Sequence, residues 1–286
     1  MPAIHQSDLR SFRGRTVYGI LLTILVLGIP LQVFPYAWMV TNMFKSSAEV
    51  IQLPPSFIPE HWLWGNIGET FAKYSLWTNV KNTFLLVIGT ILIQVTISTL
   101  AAFSLSKLKP AGSRLLLLFF VGTLMINQQA LALPTYLMMT NFFGANLIDN
   151  LWSLLLSFSA WGWVIFLLKG FFDGLPSDLM ESATIDGASS MTVLTRIVLP
   201  LSKPVFAVVL INTFMAVYNQ FLFPLILLPG QENWTIMIRI YAAQQGAAKW
   251  NQIMVLLTLS TLPVLVAYIF AQKYIVQGIS MTGLKG

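Results

Sequence analysis

The residues best suited to chemistry sit in one short stretch. "ESATIDGASSMTVLTRIVLP", Glu181 to Pro200, carries Glu181 and Asp186, with Asp178 just before them and Ser189 and Ser190 just after. Acids beside a serine invite the idea of a nucleophile with its base. That chemistry needs a histidine or its equivalent, and the two histidines, His5 and His61, lie far away in the sequence. The G-x-S-x-G elbow is absent, and so is the G-x-x-x-x-G-K-[ST] loop whose backbone cradles phosphate. Hydrolase and ATPase activity within this chain are therefore not expected. With no cysteine and two separated histidines, neither a thiolate nor a multi-histidine metal site is expected either. The carboxylates point to structure or docking rather than catalysis.

A second set of polar residues lies in oily surroundings. "INQQALALP" holds Asn127, Gln128 and Gln129; "INTFMAVYNQF" holds Asn212, Tyr218, Asn219 and Gln220. Asn212 and Asn219 are seven apart and share a helical face. Such groups either bond neighbouring helices or line a polar path for an uncharged, hydroxyl-rich solute. Three consecutive amides on a helix cannot all face one pore.

These residues belong to elements set by the composition. The 286-residue chain is 56% hydrophobic and 9% charged, against roughly 25% charged in a soluble domain. No Asp, Glu, Lys or Arg occurs in 16–44, 82–106, 115–148, 150–168, 204–231 or 250–272. Each gap approaches or exceeds the roughly 20 residues that cross a bilayer core. The expected fold class is an all-α membrane protein with six transmembrane helices, near 16–43, 80–106, 114–139, 150–170, 203–228 and 251–273. The first is too long for a signal-peptide core and reads as retained. Pro30, Pro35, Pro134, Pro224 and Pro263 are expected to kink helices whose neighbours satisfy the freed carbonyls.

Six spans place both termini on one side. That side carries eleven of the sixteen basic residues, including Lys107, Lys109 and Arg114 in one short loop, while the acids divide evenly. Basic excess marks the cytoplasmic face. The expected layout is a cytoplasmic N-terminus (1–15), a six-helix membrane domain (16–276) and a cytoplasmic tail (277–286). Within the domain, the 171–202 loop is cytoplasmic and the 45–79 and 229–250 loops are external. Trp62, Trp64 and Trp77 suit an interfacial belt. The six-charge positive excess is explained by this asymmetry, with no nucleic-acid partner.

In the cytoplasmic loop, Pro176 suits a first helical position, and Asp178 and Glu181 complement a helix dipole. Gly187 suits a left-handed cap, and Ser189 or Ser190 can cap a following helix. Leu179 and Ala183 are a turn apart, as are Met191 and Leu194. The physics leaves two readings open: a surface hairpin packed on its own membrane helices, or a docking element.

Glu181-Ser182-Ala183, Gly187, Ile197, Leu199 and Pro200 fit E-A-A-x3-G-x9-I-x-L-P, with Ser182 replacing one alanine. The chain thus resembles the permease subunits of binding-protein-dependent ABC importers. "GLPSDLMESATIDGAS", "LPLSKP" and the tail "GISMTGLKG" resemble the carbohydrate branch and its smaller, maltose-type permease. The tail departs from that subgroup's G-L-T-x-G-x-x-K-G by a displaced Gly283, and Tyr218-Asn219 stands where the family often has Trp-Asn.

The resemblance implies a type I ABC importer permease fold with a cytoplasmic coupling helix. It also implies a bacterial or archaeal cytoplasmic membrane, and a sugar or oligosaccharide cargo. Implied partners are a second permease, an ATPase dimer that holds ATP and Mg, an extracytoplasmic sugar-binding protein and the bilayer. Glu181, Ser182, Ala183, Asp186 and Gly187 would form and shape the ATPase contact, anchored by Ile197, Leu199 and Pro200. Gln244, Gln245 and Gly246 would meet the binding protein, and Lys285 and Gly286 would lie between the ATPase subunits. Asn127, Gln128, Asn212, Tyr218, Asn219 and Gln220 remain the pore-lining candidates. Alternatives are a glycerol phosphate cargo on the same machinery, or an ion-driven carrier, which the lack of charge within the spans disfavours.

Overall fold

A computed structural model describes residues 12–282, with side chains from Gly14 to Lys273. Lys285 and Gly286 lie outside the described residues. Among those described, regular structure is helical, with a single isolated β-bridge between Phe142 and Ala145.

The helices in chain order are α1 (Phe12–Asn42), α2 (Ser47–Val50), α3 (Gly65–Lys73), α4 (Leu76–Phe103), α5 (Ser113–Thr123), α6 (Ala132–Thr140), α7 (Leu151–Ser157) and α8 (Gly162–Asp173). They continue with α9 (Asp178–Ile185), α10 (Ser190–Val193), α11 (Leu199–Leu201), α12 (Lys203–Tyr218), α13 (Leu222–Leu227), α14 (Ile236–Gln245) and α15 (Trp250–Thr282). Two compact units result, one joining residues up to Lys73 with Ala243–Ser260, the other joining Tyr74–Ala242 with the chain from Thr261.

Three helices, Gly14–Asn42, Leu76–Leu108 and Trp250–Lys273, are each long and apolar enough to cross a bilayer unaided. The other three expected spans are bent. Ser113–Thr123 meets Gln128–Thr140 at 95°, and Leu151–Ser157 meets Gly162–Asp173 at 45°. Lys203–Tyr218 makes an 80° angle with Ser190–Leu201 before it, and stops at Asn219 ahead of α13. The expectation of continuous third, fourth and fifth helices is thus corrected. Neither Pro134 nor Pro224 sits at a break: each is the third residue of the α-helix that follows it, α6 and α13, while Pro200 and Pro204 flank the 80° bend. Pro30, Pro35 and Pro263 lie inside continuous helices.

In the first unit, Met43, Phe44 and Val255 form a buried cluster with Ile67, Met254 and Leu259 packed against it. Lys45, read from sequence as an external charge, is fully buried; its ammonium donates to the Ser56 carbonyl and lies 5.0 Å from the Trp38 ring centre. Burial pushes this ammonium below the usual lysine range, and Glu49 partly offsets the shift. Asn66 Nδ2 clamps the segment by donating to the Met43 and Lys45 carbonyls (3.0 and 2.9 Å).

In the second unit, α4 is the central strut, packed against α7, α8 and α12. Its buried face is polar at intervals: Asn79, Asn82, Thr83, Thr90, Gln94 and Ser98. Gln94 Oε1 accepts from Thr213 Oγ1 of α12 (2.7 Å). At the start of α4, Asn82 Nδ2 donates to the Glu232 carbonyl (2.6 Å) and Asn79 Nδ2 to that of Trp234 (3.0 Å). Thr83 Oγ1 accepts from the Ile236 N–H (2.9 Å). Arg239 Nε donates to Asn79 Oδ1 (3.1 Å), and its guanidinium stacks on Trp234. Side-chain amides thus pin the loop entering α14.

Candidate functional site: the 174–202 loop and the paired helix breaks

The 174–202 loop is built as a helix, a glycine bend and a second helix. α9 runs from Asp178 to Ile185 with Asp178 and Glu181 in its first turn. The helix stops in a Schellman motif: the Gly187 N–H donates to the Thr184 carbonyl (3.0 Å) and the Ala188 N–H to that of Ala183 (2.9 Å). Gly187 sits at φ +81, a backbone that any Cβ strains. Ser189 caps α10, its hydroxyl accepting from the Thr192 N–H (3.2 Å). Of the two serines offered by the sequence, Ser189 performs the capping.

Beneath the loop lies a core of Ala102, Phe103, Val164, Leu168, Phe172, Val193, Leu194, Val198, Val205 and Val209. Met180, Ala183, Ala188, Ile197 and Leu199 pack onto it. Leu179 and Met191 point away, so neither expected one-turn pair forms a single face. Glu181, Ser182, Asp186 and Gly187 are exposed, and Ile185, at 86%, is the barest large apolar side chain of the loop. Pro200 is exposed and stands in the first turn of α11.

Beside α9 opens a cleft of about 1110 Å³, with Glu181, Thr184 and Ile185 on one wall and Lys107, Lys109 and Lys169 on others. Lys107 Nζ donates to the Leu175 carbonyl (3.1 Å), tying the end of α4 to the loop. Asp173 accepts from Ser106 Oγ (2.6 Å) and pairs with Lys169. Among the described residues no group of three or more His, Asp or Glu could hold a metal.

The pore-lining candidates fall mostly at helix ends. Asn127 caps a 3-10 turn (Gln128–Leu131) between α5 and α6, its Oδ1 accepting from the Gln129 N–H (3.0 Å). Residues 122–130 are exposed. Since no continuous α-helix runs through them, with Asn127 capping the 3-10 turn that holds Gln128 and Gln129, the expectation that the three radiate around one membrane helix does not hold. Asn219 ends α12, with Nδ2 on the Met215 carbonyl (2.8 Å), and Gln220 Oε1 accepts from the Phe221 N–H (3.2 Å). Asn212 is exposed on the same helix and donates to the Val208 carbonyl (2.9 Å). Tyr218 is buried in its own chain and stacks on Phe214 at 5.5 Å. The half-helices following the two breaks, α6 and α13, pack on each other. Gln244 and Gln245 end α14, and with Gly246 they are exposed.

Sequence reasoning missed Gln94, Asn79 and Asn82. Their signal was present as polar residues near four-residue intervals within an otherwise apolar helix.

The second unit joins complete and broken apolar helices to a surface-presented helix–glycine–helix loop. Residues 94–281 match the model of the family described as "Binding-protein-dependent transport system inner membrane component", and the chain belongs to that family. It is 29% identical to the sn-glycerol-3-phosphate transport system permease protein UgpE of Pectobacterium atrosepticum, over 93% of this chain and 96% of that one. It is 25% identical to the diacetylchitobiose uptake system permease protein NgcG of Streptomyces coelicolor, over 90% and 85%. In fold it resembles a chain of a bacterial ABC transporter involved in import of the acidic polysaccharide alginate. The TM-score is 0.80 at 21% identity, over 96% of this chain and 99% of that one. A second likeness (TM-score 0.66, 17% identity, 93% and 94% covered) is to a chain of the alginate transporter in complex with a pentasaccharide-bound periplasmic protein.

Proposed function

We propose that this chain forms half of the pore of an ATP-driven sugar or oligosaccharide importer. In this reading a separate ATPase, which holds the ATP and Mg, acts on it through the 177–200 loop. The observation that carries the reading is the loop itself. An eight-residue helix is fixed from below by a buried core, stopped by a glycine in a left-handed cap, and presents Leu179, Glu181, Ser182 and Ile185 outward. A hairpin that only packed on its own helices would not leave Ile185 so bare.

The paired breaks support the translocation role. Exposed, non-helical backbone at membrane depth is tolerated only where protein or a water-filled path meets it. Broken helices near the middle of spans are where transport sites form. Asn127, Gln128, Asn212, Asn219 and Gln220 offer neutral donors and acceptors there, as a hydroxyl-rich solute requires. A second permease completes the pore. A binding protein meets the external face at Gln244–Gly246, both termini lie in the cytoplasm, and the tail reaches the ATPase pair at Lys285 and Gly286.

A second cargo is favoured by one observation: relatives 29–30% identical are named as sn-glycerol-3-phosphate permeases. The paired breaks themselves carry only neutral groups.

Reconstitution decides. The chain, its partner permease, ATPase and binding protein are placed in liposomes. ATP-dependent uptake is then measured for labelled mono- to pentasaccharides and for glycerol 3-phosphate. Saccharide uptake only with all components present is expected. Uptake by this chain alone under an ion gradient contradicts the reading, and selective uptake of the phosphate ester transfers it to the second cargo.

A further inference from the structure

In the second unit the chain reverses between α6 and α7. The Phe142 N–H donates to the Ala145 carbonyl (2.8 Å), and the Ala145 N–H donates back to Phe142 (3.1 Å). The two residues between them have φ +50 at Phe143 and +89 at Gly144. Two left-handed residues in a row make a type I′ turn, whose first position favours Asn, Asp or Gly. A side chain held left-handed costs about 1–2 kcal/mol. Phe143 is compensated by little within its own chain: it is 95% exposed, with only an edge contact to Phe142 at 4.8 Å.

The turn is nonetheless firmly held. Asn141 Oδ1 accepts from the Gly144 N–H (3.1 Å), and the Leu147 N–H reaches the Met139 carbonyl (2.9 Å). Asp149, also left-handed at φ +63, braces the loop against the one entering α14. Its N–H donates to the Leu227 carbonyl (2.7 Å), its Oδ1 accepts from the Gly230 N–H (2.9 Å), and its carbonyl accepts from Asn233 Nδ2 (2.7 Å). A bare aromatic on a strained, braced backbone marks a position kept for something outside the chain.

We propose that Phe143 is an aromatic anchor for the extracytoplasmic binding protein, inserting its ring into an apolar pocket of that partner. The inference rests on the importer reading above. Three observations select this occupant. The connection that carries the ring is rich in polar residues, Asn141, Asn146, Asp149 and Asn150, unlike the apolar helices it joins. Asp149, at the far end of the same connection, is hydrogen-bonded to the 227–233 segment, where the proposed external 229–250 loop begins. The family is binding-protein-dependent. Acyl chains reward any exposed apolar side chain and do not require one fixed in a strained turn. A protein pocket does, because a rigid aromatic loses little entropy on burial.

The test uses the complete transporter in nanodiscs and its liganded binding protein. Phe143→Asn removes the ring and supplies a residue this turn prefers, so the turn is retained; Phe143→Trp keeps an aromatic. Phe143→Asn is expected to raise the binding-protein concentration for half-maximal ATPase stimulation by about tenfold or more, the scale of a central interface aromatic. Basal ATPase activity and the stimulated ceiling are expected to stay unchanged, and Phe143→Trp to stay near wild type. A photoreactive benzoyl-phenylalanine at position 143 is expected to cross-link the binding protein. An unchanged half-maximal concentration for Phe143→Asn, or cross-links only to lipid or the second permease, overturns the proposal. Absence of any binding-protein stimulation in the wild type overturns the importer reading with it, so the two failures are distinguishable.

Discussion

Gly187 carries the sharpest conformational demand in the 174–202 loop. Its φ of +81 sits in a Schellman motif that ends α9 and turns the chain toward α10. Gly187→Ala is expected to cost about 1 kcal/mol, and Gly187→Asn less, since Asn tolerates the left-handed region. Thermal unfolding of the purified complex measures the difference. On the importer reading, Gly187→Ala also reduces stimulated transport more than its stability loss explains, because it redirects α9. Ser189→Ala removes the cap of α10 and is expected to cost about 1 kcal/mol. Hydrogen exchange checks this: amides 190–193 should exchange faster while those of α12 stay unchanged. Glu181 and Asp186 read from the sequence as structural or docking carboxylates because no histidine or cysteine lies near them in the chain. The roles of Ser189 and Ile185 were not legible, since only the fold selects which serine caps and which apolar side chain is left bare.

At the scale of elements, the charge gaps located six spans, but not the breaks within them. The breaks near 124–131 and 219–221 have no proline at the bend, and their residues are amides and apolar side chains that a helix also accommodates. Asn127, Asn219 and Gln220 were read as groups facing a solute. The structure gives each a backbone partner at a helix end, so the same side chains that suit a polar path also permit the break. Asn79 and Asn82 were hidden by their place in an apolar helix; they support the 232–236 segment from α4. Asn82→Ala leaves the Glu232 carbonyl without its 2.6 Å donor. It is expected to loosen that segment by about 1–2 kcal/mol, read as faster limited proteolysis between 229 and 235 with α12 unaffected.

For the whole molecule, the importer reading proposes transmitted motion: a chain without a G-x-x-x-x-G-K-[ST] loop receives work at the 174–202 loop and opens a polar path elsewhere. α9 rests on a core that also contains α4, α8 and α12 side chains, so on that reading displacement of the loop would reach α12, which ends at the 219–221 break. Because the chain contains no cysteine, single probes can be introduced without background from it. The most direct measurement places a photoreactive benzoyl-phenylalanine at position 185 in the complete complex, with position 143 as the control. The expected result is a cross-link from 185 to the ATPase subunit whose yield changes when ATP is added, and none from 143 to that subunit. Absence of an ATPase cross-link at 185, with one formed at 143, contradicts the coupling role of the loop.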